Sequence, residues 1–289
     1  MLAMLKKYAI FWLALCLLVF TTWVLYLSFK QSSGELTVAL LDVGQGDAIF
    51  IESPTGTQLL VDGGPPRKVI GKLSKLMSPL DRRIDAIVIT NPDQDHIGGF
   101  TDILKKYKVD QVFEPGTTND STTYKNLKIE IENKNIQNIL AKSGMRLDIG
   151  GGAYIDILFP DRDVSDWSTN DGSIVARLTY GETSVMLTGD STAKTEDFLL
   201  KGLNAGVLDS DILKVGHHGS RTSTTEEFVK AVSPEYALIS LGEDNKYGHP
   251  HKDTLQTLAE LGVKVFRTDL DGSIIMKSNG EKSTFSFSR

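Results

Sequence analysis

The longest apolar run in the chain is Tyr8 to Phe29, 22 residues without a formal charge and rich in Leu, Phe, Trp, Ala and Val. As a helix rising 1.5 Å per residue, such a run is long enough to cross a hydrocarbon core of about 30 Å. Trp23 and Tyr26 lie toward one end, where amphipathic rings favour a membrane interface. A cleaved signal peptide has a shorter apolar stretch and small residues at the cut, and Leu27-Ser28-Phe29-Lys30 offers a poor site. Lipoprotein processing at Cys16 is opposed by the large Leu15 before it and by the apolar run beyond it. The expectation is an uncleaved single-pass anchor over residues 8–29. Lys6, Lys7 and the terminal amine precede it, whereas only Lys30 closely follows. The positive-inside rule then puts residues 1–7 in the cytoplasm and the large domain outside the cell membrane.

After a polar linker at 30–35 the pattern changes to short apolar runs punctuated by Gly, Pro, Asn and Asp, one domain over 36–289. Runs at Glu35–Asp42, Ala48–Glu52, Gln58–Val61, Ile84–Thr90 and Val109–Phe113 predict strands. Further strands are predicted at Ser173–Tyr180, Thr183–Thr188, Ile212–Val215, Tyr236–Ser240, Val263–Thr268, Gly272–Lys277 and Ser283–Ser288. Helical spacing marks Val69–Met77, Thr101–Tyr107, Thr192–Lys201, Thr225–Val232 and Asp253–Leu261. Gly116 to Gly144 is polar and Asn/Lys-rich, with Thr117-Thr118-Asn119-Asp120 as an exposed loop. Strands first in antiparallel groups, then alternating with helices, predict an α/β fold of two mixed sheets with helices outside.

Composition changes this picture little. Apolar and charged fractions of 40% and 24% are those of an ordinary globular protein, and a net charge of −6 argues against a passive nucleic-acid scaffold. A single cysteine excludes a disulfide framework and a Cys-rich zinc module.

The histidines change it more. All five fall in three clusters: Asn91-Pro92-Asp93-Gln94-Asp95-His96, Gly216-His217-His218-Gly219 and Gly248-His249-Pro250-His251. Predicted strands run directly into ligand-type residues, as in Val61-Asp62, Thr90-Asn91, Thr188-Gly189-Asp190 and Val215-Gly216-His217. Rigid strands that deliver carboxylates and imidazoles to one edge are a way to hold a metal ion.

Thr90–Gly99, Asp62-Gly63-Gly64, Leu187–Asp190 and Gly216–Ser220 together resemble the metallo-β-lactamase superfamily. Within it, Asp42–Ala48, Lys214–Ser220 and Gly248–His251 resemble the C-terminal domain of ComEC-type DNA-uptake proteins, and the likeness covers Leu36 to Arg289. The resemblance implies a four-layer αββα sandwich, here preceded by one transmembrane helix. Its His-x-His-x-Asp-His motif carries over with Asn91 at the first histidine and Asp93 at the second, while Asp95 and His96 match. Asp190 falls at the bridging carboxylate, His217 or His218 at the late histidine, and Asp62 at an aspartate that orients ligands from behind. No histidine lies between 96 and 217; Asn170 is nearest to that missing ligand.

The resemblance thus implies Asp95, His96, Asp190 and His217 or His218 around one divalent metal, with Asp93 and Asn91 near a weaker second. An oxygen-rich set suits Mn²⁺, and Zn²⁺ also accepts carboxylates. The expected reaction is hydrolysis of a phosphodiester, in DNA by the resemblance, by hydroxide formed from metal-activated water. Asp190 or Asp93 would take a proton, and His249 or His251 would stabilise charge or protonate the leaving group. Asp47 and Ser220 are candidates for supporting or substrate-binding roles. One span rather than a multi-span channel makes an anchored nuclease or phosphodiesterase the broad expectation. Two alternatives stand beside it: hydrolysis of a small phosphocholine ester or lactone, and a degenerate adaptor, for which Asn91 speaks.

Overall fold

The computed structural model describes residues 2–31 and 34–289. A helix runs over Leu2–Gln31, and its stretch Lys6–Val24 is long and apolar enough to cross a membrane, with none of it buried in the protein. Ser32 and Ser33 of the expected linker lie outside the described residues.

Two mixed sheets follow. The first has eight strands in the order Ser283–Phe287, Ile274–Ser278, Leu36–Leu40, Ile49–Glu52, Gln58–Val61, Arg83–Val88, Lys108–Glu114 and Gln137–Leu140. The second has seven, in the order Lys264–Arg267, Tyr236–Ile239, Ile212–Lys214, Thr183–Leu187, Val175–Tyr180, Ala153–Phe159 and Arg146–Gly150.

Strand periodicity explains the layering. Successive side chains of a strand point to opposite faces. Val38 and Leu40 enter a core shared with Ile155, Leu178 and Val185 of the other sheet. Their neighbours Ala39 and Leu41 face a second core with Phe100, Ile103 and Leu104 of the helix Phe100–Lys106. A third core packs Met186 and Leu213 against Leu199, Phe228 and Leu258 of the helices Ala193–Gly202, Glu226–Val232 and Lys252–Glu260. Helix, sheet, sheet, helix: the αββα sandwich is the observed architecture.

Several elements depart from the sequence reading. The helix after Val69 stops at Leu73. The polar middle contains the helix Thr122–Asn133, which buries only Leu127 and Ile131 and is capped by Ser121, whose Oγ accepts from the Tyr124 amide. One i, i+4 pair in an Asn/Lys-rich stretch is too thin a stripe to read as a period. The strands Gln137–Leu140, Arg146–Gly150 and Ala153–Phe159 are additions to the sequence reading, the last two joined through Gly150-Gly151-Gly152.

Within the first sheet Gln58–Val61, Arg83–Val88 and Lys108–Glu114 run parallel, and within the second so do Thr183–Leu187, Ile212–Lys214 and Tyr236–Ile239. The residues just beyond their carboxyl ends are Asp62, Asn91, Asp190, His217, His218 and Ser240. Ligands of open α/β sheets gather at such ends.

Candidate metal centre

Three loops form the floor. The Asp47 amide donates to the Asp95 carbonyl (3.2 Å), the Gly63 amide to the His96 carbonyl (2.6 Å) and the Gly64 amide to the Asp47 carbonyl (2.7 Å). Gly46, at φ 128°, lies where a Cβ would strike the Asp95 carbonyl oxygen, so only glycine permits this closure.

His96, fully buried, is held from behind. Its Nδ1 donates to Asp62 Oδ2 at 2.8 Å, and Asp62 is fixed by the Thr90 amide (2.8 Å) and hydroxyl (2.5 Å). A carboxylate can only accept, so Nδ1 carries a proton, and Nε2 faces Asp190 Oδ2 at 3.0 Å. His218 is arranged in the same way. Its Nδ1 lies 2.9 Å from the Ser240 carbonyl, while Nε2 faces Asp95 Oδ2 at 3.5 Å and Asp190 Oδ2 at 3.6 Å. Ser240 in turn donates its hydroxyl to the Gly46 carbonyl at 2.6 Å, tying the second sheet to the first-sheet loop.

Behind these groups lies a buried ion pair that the sequence reading did not single out. Lys214 contacts Asp47 directly, donates to the Gly189 carbonyl at 2.9 Å and lies 4.0 Å from Asp190 Oδ1. Its side chain is 1% exposed. In the sequence it is one polar residue in the apolar run Ile212-Leu213-Lys214-Val215, and a lysine inside a buried strand is the signal that could have found it.

The charges balance locally. Burial alone would raise Asp47, but Lys214, followed by His218, draws it down to about 2. Burial also opposes charge on His218, yet Asp190 and Asp47 lift it to about 10. Asp190 and Asp62 likewise raise His96 well above the usual imidazole range, and His96 holds Asp190 well below the usual carboxylate range against its burial. His249 goes the other way: burial, then the neighbouring His218, lowers it to about 4.

The donor set fits a divalent cation. Asp190 Oδ1, His96 Nε2 and His218 Nε2 are buried without a hydrogen bond of proper geometry, which is costly unless something else engages them. Ligand atoms of Asp95, His96 and His218 lie within 4.8 Å of one another, as do those of Asp47, Asp190 and His218, and those of Asp47, Asp62 and His96. Asp47 is engaged by Lys214, and Asp62 by Thr90 and His96, which leaves Asp95, His96, Asp190 and His218 to hold an ion.

The other expected residues are placed differently. His217 is a quarter exposed, with Nε2 3.9 Å from Asp190 Oδ2 and Nδ1 3.2 Å from the Thr222 hydroxyl. His249 stands beside both histidines, with ring centroids 5.7 Å from His217 and 6.4 Å from His218. Asn91 and Asn170 do meet, the Asn91 amide donating to Asn170 Oδ1 at 2.6 Å. The Asp93 carboxylate is turned to Asn119 (2.7 Å) and Thr169 (3.0 Å). It joins none of the ligand groupings among the described residues. His251 caps the helix Lys252–Glu260, its Nδ1 accepting from the Asp253 amide. Ser220 builds the turn after the histidines, accepting from the Thr222 amide and contacting its hydroxyl at 3.0 Å. The structure thus places Asp93, His251 and Ser220 outside the cluster itself.

Comparisons with known proteins bear on the family and the fold. Residues 41–243 match the metallo-beta-lactamase superfamily. The chain is 33% identical to ComE operon protein 3 of Bacillus subtilis over 272 residues, 88% of this chain and 34% of that one. It is 30% identical to Competence protein ComA of Neisseria gonorrhoeae, covering 83% of this chain and 32% of the relative. It thus spans about a third of the length of these curated relatives. Among solved structures, CmlA of Streptomyces venezuelae, a diiron beta-hydroxylase, superposes with a TM-score of 0.56 at 16% identity, over 88% of this chain and 54% of that one; this likeness concerns the fold. By sequence match and by sandwich architecture, the chain belongs to the metallo-β-lactamase superfamily.

Proposed function

We propose that the protein is a membrane-anchored, metal-dependent phosphodiesterase acting on DNA, with its catalytic domain outside the cytoplasm. The observation that carries the hydrolase reading is the gathering of Asp95, His96, Asp190 and His218 in overlapping ligand groupings, with the rings of His96 and His218 fixed from behind by Asp62 and the Ser240 carbonyl, and with Asp190 Oδ1 and both Nε2 atoms buried without a hydrogen bond. A competence protein is among its relatives, and the resemblance of this chain's motifs to DNA-uptake proteins suggests the substrate class.

Asp95, His96, Asp190 and His218 would hold Mn²⁺ or Zn²⁺. When bound, such an ion supplies Lewis acidity toward a phosphoryl oxygen and lowers the pKa of water toward neutrality. The chain's own groups do the rest. Asp62 and the Ser240 carbonyl fix the ring orientations of His96 and His218. Lys214 keeps Asp47 ionised beneath the site. His217 and His249 line the open side, and His249, held neutral near pH 7, is an acceptor or donor of one proton there. The helix Leu2–Gln31 would anchor the domain, oriented by Lys6 and Lys7.

The full chain, purified in detergent, stripped with EDTA and reloaded with Mn²⁺ or Zn²⁺, should cleave single-stranded or duplex DNA or a simple phosphodiester, and Asp190→Ala should abolish it. Absence of bound metal and of all three activities would sink the reading. Protease added to intact cells should remove the domain; protection would reverse the orientation.

A further inference from the structure

One aromatic ring stands in the open beside the buried cluster. Tyr247 is 70% exposed, the most exposed large aromatic side chain of the folded domain among the described residues. It stacks on His249 with centroids 5.7 Å apart and planes at 25°. His249 faces His218 at 6.4 Å and 33°, and His218 faces His96 at 5.6 Å and 33°. Four rings thus descend from solvent to the carboxylates.

The segment that presents Tyr247 is braced at both ends. Asn245 donates to the carbonyls of Gly242 (3.1 Å) and His249 (2.8 Å), and its Oδ1 accepts from the His249 amide (3.0 Å). The His251 amide bonds the Gly219 carbonyl at 2.8 Å, next to the histidine turn. Tyr247 and Lys246 border a cleft of about 380 Å³ whose other walls include Gln45, Gln94 and Asp95. That volume is within the range of small-ligand sites, and Asp95 places it against the candidate metal centre.

We propose that Tyr247 is a stacking platform for one unpaired base of a single-stranded nucleic acid, with Lys246 beside the adjoining phosphate. This rests on the phosphodiesterase reading and narrows it. A base inside a duplex already has both faces covered, so a platform of this kind selects single strands. A base continuing the ring column on Tyr247 would lie beside the cleft that Tyr247 and Lys246 share with Asp95. Stacking is tolerant of sequence because every base has a π-face.

The test measures binding of the full chain, in detergent with Mn²⁺ present, by fluorescence anisotropy. The probes are a phosphorothioate oligothymidylate 12-mer, which resists cleavage, an abasic 12-mer with the same linkages, and a blunt phosphorothioate duplex. Oligothymidylate should bind about tenfold tighter than the abasic strand and the duplex. Tyr247→Ala should erase the preference over the abasic strand, and Tyr247→Trp should keep it. Equal affinity of the wild type for both strands, or a preference that survives Tyr247→Ala, would overturn the platform while leaving a phosphodiesterase intact. Tight binding of the duplex would also overturn it. Failure to bind any of the three would instead overturn the nucleic-acid reading on which it rests.

Discussion

His217 and His218 are neighbours in the chain and opposites in environment. Both adopt left-handed backbone, at φ 47° and 55°, between Gly216 and Gly219. For residues with a Cβ this conformation costs of order 1–2 kcal/mol each. It splits the two rings: His218 points in to Asp95 and Asp190, and His217 stays at the rim. We therefore expect His218→Ala to lower Mn²⁺ affinity at least tenfold by calorimetry, and His217→Ala to spare affinity while lowering turnover. The motif around Asp95 and His96 was legible in sequence because residue type and spacing carry it. The division between His217 and His218 was not, since two adjacent histidines are told apart only by backbone dihedral angles. Lys214→Met should cost about 3–5 kcal/mol in urea melts, because it strands Asp47 in a dry site. The protonation of His218 gives a pH prediction. Its folded pKa of about 10 lies above the ordinary 6.5, so the metal-free protein has this stabilisation in full below about 6.5 and loses it as pH rises through about 10. Metal binding must displace that proton. Affinity should then climb at least about tenfold per pH unit through this window, since His96 is also raised, with proton release visible in buffers of different ionisation enthalpy.

At the level of elements, the histidine turn is held by its neighbours more than by itself. Glu196, buried in the helix Ala193–Gly202, accepts from the Thr225 amide (2.9 Å) and hydroxyl (2.8 Å) and from the Thr224 amide, pinning the chain that returns from the turn. Glu196→Ala would leave those donors unpaired. We expect about 2–3 kcal/mol of lost stability and, because the turn loosens, weaker metal binding in the same variant. The alternating strands were readable because their two faces enter different cores, which forces apolar residues into near-continuous runs. The helix Thr122–Asn133 was hidden by its two-residue contact with the core. Ser121→Ala, which removes its cap, should cost about 1 kcal/mol by thermal melting and leave the cluster untouched.

For the whole molecule, the site is a seam. Asp47, Asp62 and His96 come from the first sheet's loops and Asp190, His218 and Ser240 from the second's, so the sheets must be registered before ligands converge. Little of that joint was visible in sequence, where the partners lie up to 194 positions apart, as for Gly46 and Ser240. The apolar helix ends at Gln31, and five residues on begins Leu36–Leu40, a strand with antiparallel partners on both sides, Ile49–Glu52 and Ile274–Ser278. Hydrogen bonds in antiparallel pairs lie across the strand axis. Tension applied through that helix would therefore act along Leu36–Leu40 and shear two ladders at once, instead of unzipping one bond after another. The N-terminal end is thus a mechanically resistant direction of the domain, and pulling from it should meet a high unfolding force in single-molecule stretching.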